Sequence, residues 1–243
     1  MRALLKAWEL LKPDECGVCL EACTLCGFPL QVRLRRDELG VRCPYCGASA
    51  ITQSLADVVR HGCGDLSALD AYELSAQGPL VRWLRRRTRS LVTSEYVADV
   101  TPGSLHDGVR CEDVQRLTFA AASFDLCTST EVFEHVEDDM AGFREIHRVL
   151  RPGGWFVFSV PLDVQGTTLE RTAIHDGRRV AVLPAEYHAD RYRGRHVFCY
   201  RNYGADIVAR LAAAGFVEAG VHRPRSRLFG HARPIVVARR ARA

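Results

Sequence analysis

The sequence predicts an α/β fold: a doubly wound, mostly parallel sheet finished by an antiparallel C-terminal hairpin, with a small cysteine-rich unit ahead of it. Three observations carry that expectation. From residue 68 onward, apolar runs alternate with helix-period stretches and with Gly or Pro breaks, the pattern of a parallel sheet covered by helices on both faces. Six of the ten cysteines fall between Cys16 and Cys46, which sets the start of the chain apart from the rest. A hydrophobic share of 47% against 26% charged residues, over 243 residues, supports a buried core and argues against disorder.

The expected organisation is an N-terminal helix and cysteine-rich segment over 1–50, a connecting helix or linker over 51–67, and the α/β domain over 68–243. Met1 to Leu11 is apolar, but Arg2, Lys6 and Glu9 interrupt it and no small-residue cleavage site follows, so it does not read as a signal peptide. No run approaches the roughly 20 apolar residues that span a bilayer. These features predict a cytoplasmic protein without membrane contact, whose cysteines are metal ligands or buried small side chains rather than disulfides. The net charge of +4 does not demand nucleic acid, and the arginine clusters at 33–36, 82–89 and 223–240 read as solvated surface in an arginine-rich composition.

Each element has a local reason. Ile51, Leu55, Val58 and Val59 fall at helical spacing. Strands are expected at 69–74, 91–97, 108–111, 124–129 and 155–160, and helices at 79–87, entered at Pro79, and at 138–150. The C-terminal part reads as a helix over 202–214 stopped by Gly215, then strands at 216–222 and 234–239 paired antiparallel at one edge.

Cys23-Thr-Leu-Cys26-Gly and Cys43-Pro-Tyr-Cys46-Gly stand sixteen residues apart. Two residues between thiolates let both sulfurs converge on one tetrahedral ion, and the following glycine relieves the tight turn. Over about 24 residues the segment resembles a zinc ribbon, with a strand-like piece at 31–35 between the knuckles. Four thiolates make a closed, structural Zn2+ site that supplies folding free energy to a segment too small to fold alone. Cys16-Gly-Val-Cys19 is a third pair without the glycine; spare thiols, a second metal and an exchanged pair all fit it.

The most specific stretch runs from Cys111 to Pro161. It holds Glu112-Asp113-Val114 at a strand end, Leu117-Thr-Phe119, Ser123-Phe124-Asp125, Glu134-His135, and Arg148-Val-Leu-Arg151-Pro152-Gly153-Gly154 before the next strand. In this order the features resemble the third to fifth strands of class I S-adenosylmethionine-dependent methyltransferases of the small-molecule type. The resemblance implies a seven-stranded Rossmann-like sheet, with the cofactor outside the carboxyl ends of the strands. It implies that the Asp113 carboxylate accepts from the adenine amino group beside the Val114 amide, with Ser129 at the next strand end. Capping of the following turn is the structural alternative for Asp113.

The usual glycine-rich loop after the first strand is missing. Gly62-Cys-Gly64-Asp65 imitates it, but the ribose-binding acid normally lies about 20 residues beyond the loop. The best such acid, Glu95, is 33 residues from Gly62 and 22 from Glu73. The first strand is therefore expected at 70–74 and its loop at Ser75-Ala76-Gln77-Gly78, resembling family members in which a Glu-containing loop replaces the glycines and the second strand carries Ser-Glu-Tyr. Glu73, Ser75, Gln77, Glu95 and Tyr96 join Asp113, Val114 and Ser129 as expected cofactor contacts.

Methyl transfer from a sulfonium needs alignment and exclusion of water, and a base when the acceptor is a hydroxyl. His135 is the first candidate base and His188, in the insertion after the fifth strand, the second; His196, Tyr192 and Tyr200 are weaker ones. The leading function is methylation of a small-molecule or sugar-like acceptor. Its rival is a binding module in which the ribbon engages RNA or protein on a non-catalytic scaffold, although Phe28 and Tyr45 are the only obvious aromatics there for base stacking.

Overall fold

The computed structural model describes residues 13–190 and 195–242. The apolar stretch at 1–11 and Tyr192 lie outside the described residues. A six-stranded sheet organises the rest: β1 (Asp70–Glu73), β2 (Ser90–Thr93), β3 (Phe124–Thr130), β4 (Leu150–Ser159), β5 (Glu218–His222) and β6 (Ile235–Arg239). The order across it is β5-β6-β4-β3-β1-β2. β1 is parallel to β2 and β3, and β3 is parallel to β4, whereas β6 runs antiparallel between β4 and β5.

Period-two alternation sends neighbouring residues to opposite faces. Tyr72, Cys127, Phe156, Phe158, Val236 and Ala238 pack on one side, with Phe143, Ile146 and Val149 of α3 (Asp139–Val149) and Ile207 and Leu211 of α4 (Ile207–Ala213). Ala71, Leu126, Val157, Ile235 and Val237 face the other side, beneath Leu55 and Val59 of α1 (Ala50–Gly62) and Leu80, Trp83 and Leu84 of α2 (Pro79–Arg85). The doubly wound arrangement is therefore present. Cys23, Leu25, Cys43 and Ala48 of the cysteine-rich unit belong to that second cluster.

Local chemistry sets the helix ends. Ser49 caps α1 by accepting from the Thr52 amide at 3.2 Å, and Asp138 caps α3 through the Ala141 amide at 2.9 Å. α1 carries Ile51, Leu55 and Val59 one turn apart, all buried, so the helix expected from 51 onward covers a sheet face.

Two expectations are corrected. The seventh strand, at 108–111, is reduced to a single parallel bridge between Glu95 and Cys111. Asp107 and Gly108 both have positive φ, 50° and 75°, a tight hairpin turn that folds Val109–Arg110 back onto Leu105–His106. The helix expected over 202–214 begins only at Ile207, because Arg201–Gly204 forms a strand parallel to Leu162–Asp163 and antiparallel to Leu169–Glu170. A Cβ on Gly204 would collide with the backbone of Thr167, so that close approach requires glycine.

The insertion after β4 contributes two more hairpins, Thr172–His175 with Arg178–Ala181 and Tyr187–Asp190 with Arg195–Phe198. The first turns at Asp176-Gly177, again with both φ positive.

Candidate cofactor and acceptor site

β1 has a parallel neighbour on each side, so the loops leaving β1 and β3 diverge and open a crevice at their carboxyl ends. Glu73 closes β1. It is 1% exposed, its carboxylate accepts from the Thr128 hydroxyl of β3, and burial pushes it up to about 8. The Ser75 hydroxyl and amide oppose that rise. The next amide, Ala76, donates to Glu95 Oε1 at 3.0 Å, so the glycine-poor loop is fastened to the end of β2 by an acid. Gly78, at φ 123°, turns the chain into Pro79 and α2. Gln77 is exposed, Ser75 half-buried.

The bridge beyond β2 brings the next acid alongside. Glu95 N donates to Arg110 O at 2.9 Å and Glu112 N to Glu95 O at 3.0 Å, which sets Asp113 two residues past the partner of Glu95. Asp113 Oδ1 accepts from the Gln115 amide and from Gln115 Nε2, each at 3.0 Å, and Oδ2 lies 3.3 Å from Arg116. The capping role is thus the one its side chain performs here, with Val114 as the first residue of the capped turn. A cavity of about 450 Å³ opens beside these residues, lined among others by Tyr96, Val100, Pro102, Cys111, Asp113 and Arg116. Tyr96 is 55% exposed at its mouth. Ser129 is buried within β3, and its hydroxyl has no hydrogen-bond partner among the described residues.

The two candidate bases meet. His135 follows β3, and the hairpin at 187–198 carries His188 onto it, the ring centroids 5.0 Å apart at 90°. His135 Nδ1 donates to Phe198 O at 2.8 Å, Tyr200 N donates to Glu134 O at 2.8 Å, and Cys199 Sγ lies 3.7 Å from His135 Nδ1. Contact with Cys199 and then with Glu134 pushes His188 up to about 10, while both imidazoles hold the Cys199 thiol below its ordinary range although burial opposes this. The two rings, Cys199 and Glu134 therefore form one contact cluster. His196 is exposed on the hairpin. Tyr200 stacks edge-on against Phe198, with the Arg179 guanidinium 5.4 Å over its ring.

At the other end, one sulfur from each of Cys23, Cys26, Cys43 and Cys46 lies within 4.8 Å of the rest. Cys23 and Cys46, and likewise Cys26 and Cys43, are 3.6 Å apart, close to the edge of about 3.8 Å expected between thiolates at tetrahedral zinc. The donor set therefore fits Zn2+. Contact with Cys46 holds Cys23 down to about 5, and the same contact pushes Cys46 up. Cys16 precedes and Cys19 ends the strand Gly17–Cys19, which pairs with Gln31–Arg33, and neither is in this group.

Sequence reasoning missed four residues. Glu131 sits at φ 52° just past β3, a strained conformation for a side chain of this kind, and burial, then Glu134, pushes its carboxyl up to about 7. Arg233 joins that carboxylate at 3.1 Å to Glu38 of the cysteine-rich unit at 2.8 Å. Glu134 was noted only as part of Glu-His, and Cys199 not at all. Glu131 and Glu134, three residues apart after a strand, were the available signal; nothing local marks Arg233 or Cys199.

Residues 46–158 match the family described as a methyltransferase domain. The ubiquinone biosynthesis O-methyltransferase of Paraburkholderia phymatum is 31% identical over 137 residues, covering 52% of this chain and 55% of that protein, so the chain spans about half the length of that curated relative. An S-adenosylmethionine-dependent methyltransferase from Mesorhizobium loti is 21% identical, covers 77% of this chain and 98% of its own, and has a TM-score of 0.49. A 1,6-didemethyltoxoflavin-N1-methyltransferase from Burkholderia thailandensis, solved with 1,6-didemethyltoxoflavin and S-adenosylhomocysteine, is 19% identical, covers 79% and 78%, and has a TM-score of 0.47. Residues 46–158, which hold Glu73, Glu95 and Asp113, are thus similar to a methyltransferase domain.

Proposed function

We propose that the protein transfers a methyl group from S-adenosylmethionine to a hydroxylated small molecule, with the zinc ribbon as a structural arm. The observation that carries this reading is the line of acids along the sheet edge: Glu73 ends β1, Glu95 follows β2, and Asp113 stands beyond the Glu95–Cys111 bridge. An aminoacyl nucleoside cation asks for that set. Glu73, with Ser75 and Gln77 of its loop, faces the methionine ammonium and sulfonium; Glu95 accepts from the ribose hydroxyls, with Tyr96 beside the purine; Asp113 and the Val114 amide meet the adenine edge, and Ser129 closes the floor. The bound cofactor supplies an electrophilic methyl on a good leaving group. What the chain adds is alignment, exclusion of water and handling of the acceptor proton, for which His135 and His188 are the groups at hand.

The name of the Paraburkholderia phymatum relative, an O-methyltransferase of ubiquinone biosynthesis, supports a hydroxyl acceptor. Burial of Cys23 and Cys43 in a cluster shared with the sheet supports a structural Zn2+ at Cys23, Cys26, Cys43 and Cys46 over a ribbon that presents RNA or protein. A reducing, cytoplasmic setting belongs to the same reading, because those thiols must stay unoxidised to hold metal. Among the described residues no helix is long and apolar enough to cross a membrane.

Calorimetric titration with S-adenosylmethionine and with its demethylated product tests the proposal. Binding weakened at least about tenfold in Glu95→Ala and in Asp113→Ala is expected. No binding at millimolar cofactor would sink the enzyme reading, and unchanged binding in both variants would show that these strand ends do not form the site.

A further inference from the structure

Glu134 is 1% exposed, and among the described residues neither of its carboxylate oxygens receives a hydrogen bond. A buried carboxyl group that receives no hydrogen bond is a costly arrangement that calls for a partner. Its polar neighbours are two imidazoles: His188 Nδ1 is 3.6 Å and His135 Nε2 3.7 Å from Oε1, both too long for hydrogen bonds. Cys199 completes the group, since one ligand atom from each of His135, His188 and Cys199 lies within 4.8 Å of the others. The 3.6 and 3.7 Å separations between Glu134 Oε1 and the two ring nitrogens suit donors sharing one ion, since bonds of about 2.0–2.3 Å to tetrahedral zinc put neighbouring donors about 3.3–3.8 Å apart, and Cys199 Sγ stands beside the same ring, 3.7 Å from His135 Nδ1.

The surroundings orient the rings as metal ligands are oriented. His135 Nδ1 is taken by the Phe198 carbonyl at 2.8 Å, which leaves Nε2 as the lone-pair nitrogen facing Glu134. His188 Nε2 points to Glu186 Oε1 at 3.2 Å, and Glu186 is itself held by Arg171, so Nδ1 is the nitrogen turned inward. We propose that His135, His188 and Cys199, with the Glu134 carboxylate beside them, form a second metal site for a borderline divalent cation of the Zn2+ type. Two imidazoles and a thiolate select such an ion over Mg2+ or Ca2+, which prefer all-oxygen sets.

The site lies just past the carboxyl end of β3, on the edge where the crevice opens. A cation there coordinates a hydroxyl of the acceptor and makes it more acidic, its proton passing to water. This last role rests on the methyl-transfer reading; the metal site does not.

Zinc content decides it. The full-length protein is equilibrated with Zn2+, desalted and counted by mass spectrometry, alongside His188→Ala, Cys199→Ser and, as control, His196→Ala. Two zinc ions per chain are expected in the wild type and the control, and one in each of the other variants. Equal zinc in wild type, His188→Ala and Cys199→Ser overturns the proposal and leaves an imidazolium–thiolate cluster in its place. One zinc in the wild type and none in those two variants supports the site while sinking the ribbon's. His188 is half-exposed, so its truncation answers the question even where Cys199→Ser fails to fold. Cofactor titration of the same samples separates the readings: two zinc ions without cofactor binding would uphold the site and defeat the methyl-transfer proposal.

Discussion

The two clusters of residues with donor atoms close enough to hold a metal ion are built in opposite ways. The ribbon draws four sulfurs from two short knuckles, Cys23 to Cys26 and Cys43 to Cys46, so its geometry is written into local spacing. The cluster at the sheet edge draws His135 from the loop after β3 and His188 and Cys199 from an insertion more than fifty residues later. The first can be read from the chain; the second exists only because the hairpin at 187–198 docks on Glu134 and His135. Local spacing therefore assembles the first cluster, and tertiary docking assembles the second beside a crevice.

The sharpest way to break this contrast is to remove one cysteine from each. Cys43→Ser, at a fully buried position in the quartet, should unfold the ribbon and strip the α1 face of its cover; apparent zinc-binding energies of about 10–16 kcal/mol set the scale of that loss. Thermal unfolding should show a fall in Tm far larger than for Cys199→Ser, and similar falls would erase the distinction.

Glu73→Gln tests the sheet edge. Its carboxyl is pushed up to about 8, so the folded chain loses stability as pH rises from the ordinary carboxylate range to about 8, and nothing further is lost above that. The variant's stability advantage over the wild type should grow by on the order of 2–4 kcal/mol across that window and then level off, as read by urea denaturation at a series of pH values. An advantage that does not change with pH would mean that Glu73 is ionised at little cost. Cofactor affinity should move the other way, tightening in the wild type as Glu73 ionises and staying flat with pH in the variant.

Glu95→Ala removes a charged acceptor and also the tether of the loop after β1 at Ala76. A loss of cofactor affinity of roughly 10- to 100-fold is expected by calorimetry, the range of a hydrogen bond to a charged group. The smallest effect concerns the link between the two halves. Arg233→Ala frees Glu38 and Glu131, and a destabilisation of about 1–2 kcal/mol is expected in chemical denaturation, because the guanidinium is largely buried.

Much of the fold was legible. Parallel strands buried on both faces read as apolar runs, and 124–129 and 155–160 were found on that ground as β3 and β4. Pro79 and Gly215 marked helix ends that the structure keeps. The failures share one cause. At Asp107-Gly108 a two-residue turn chemistry overrode the expected seventh strand, and at 201–204 the inward-facing Arg201 and Tyr203, with Gly204 against Thr167, overrode a helical pattern. Arg201 is 3% exposed and reaches Glu170 at 3.1 Å, a partnership no local pattern contains.

By itself the sequence determined the quartet's spacing, the strand-and-helix alternation and the acids Glu73, Glu95 and Asp113, since each depends on residues near one another in the chain. Only the tertiary structure decided that the Ala76 amide is tied to Glu95, that Asp113 caps its own turn, that Arg233 joins the ribbon to Glu131, and that two histidines and Cys199 surround a buried carboxylate. Such pairings are set by which loops the sheet order brings together, and that order is fixed by burying both faces of the sheet at once.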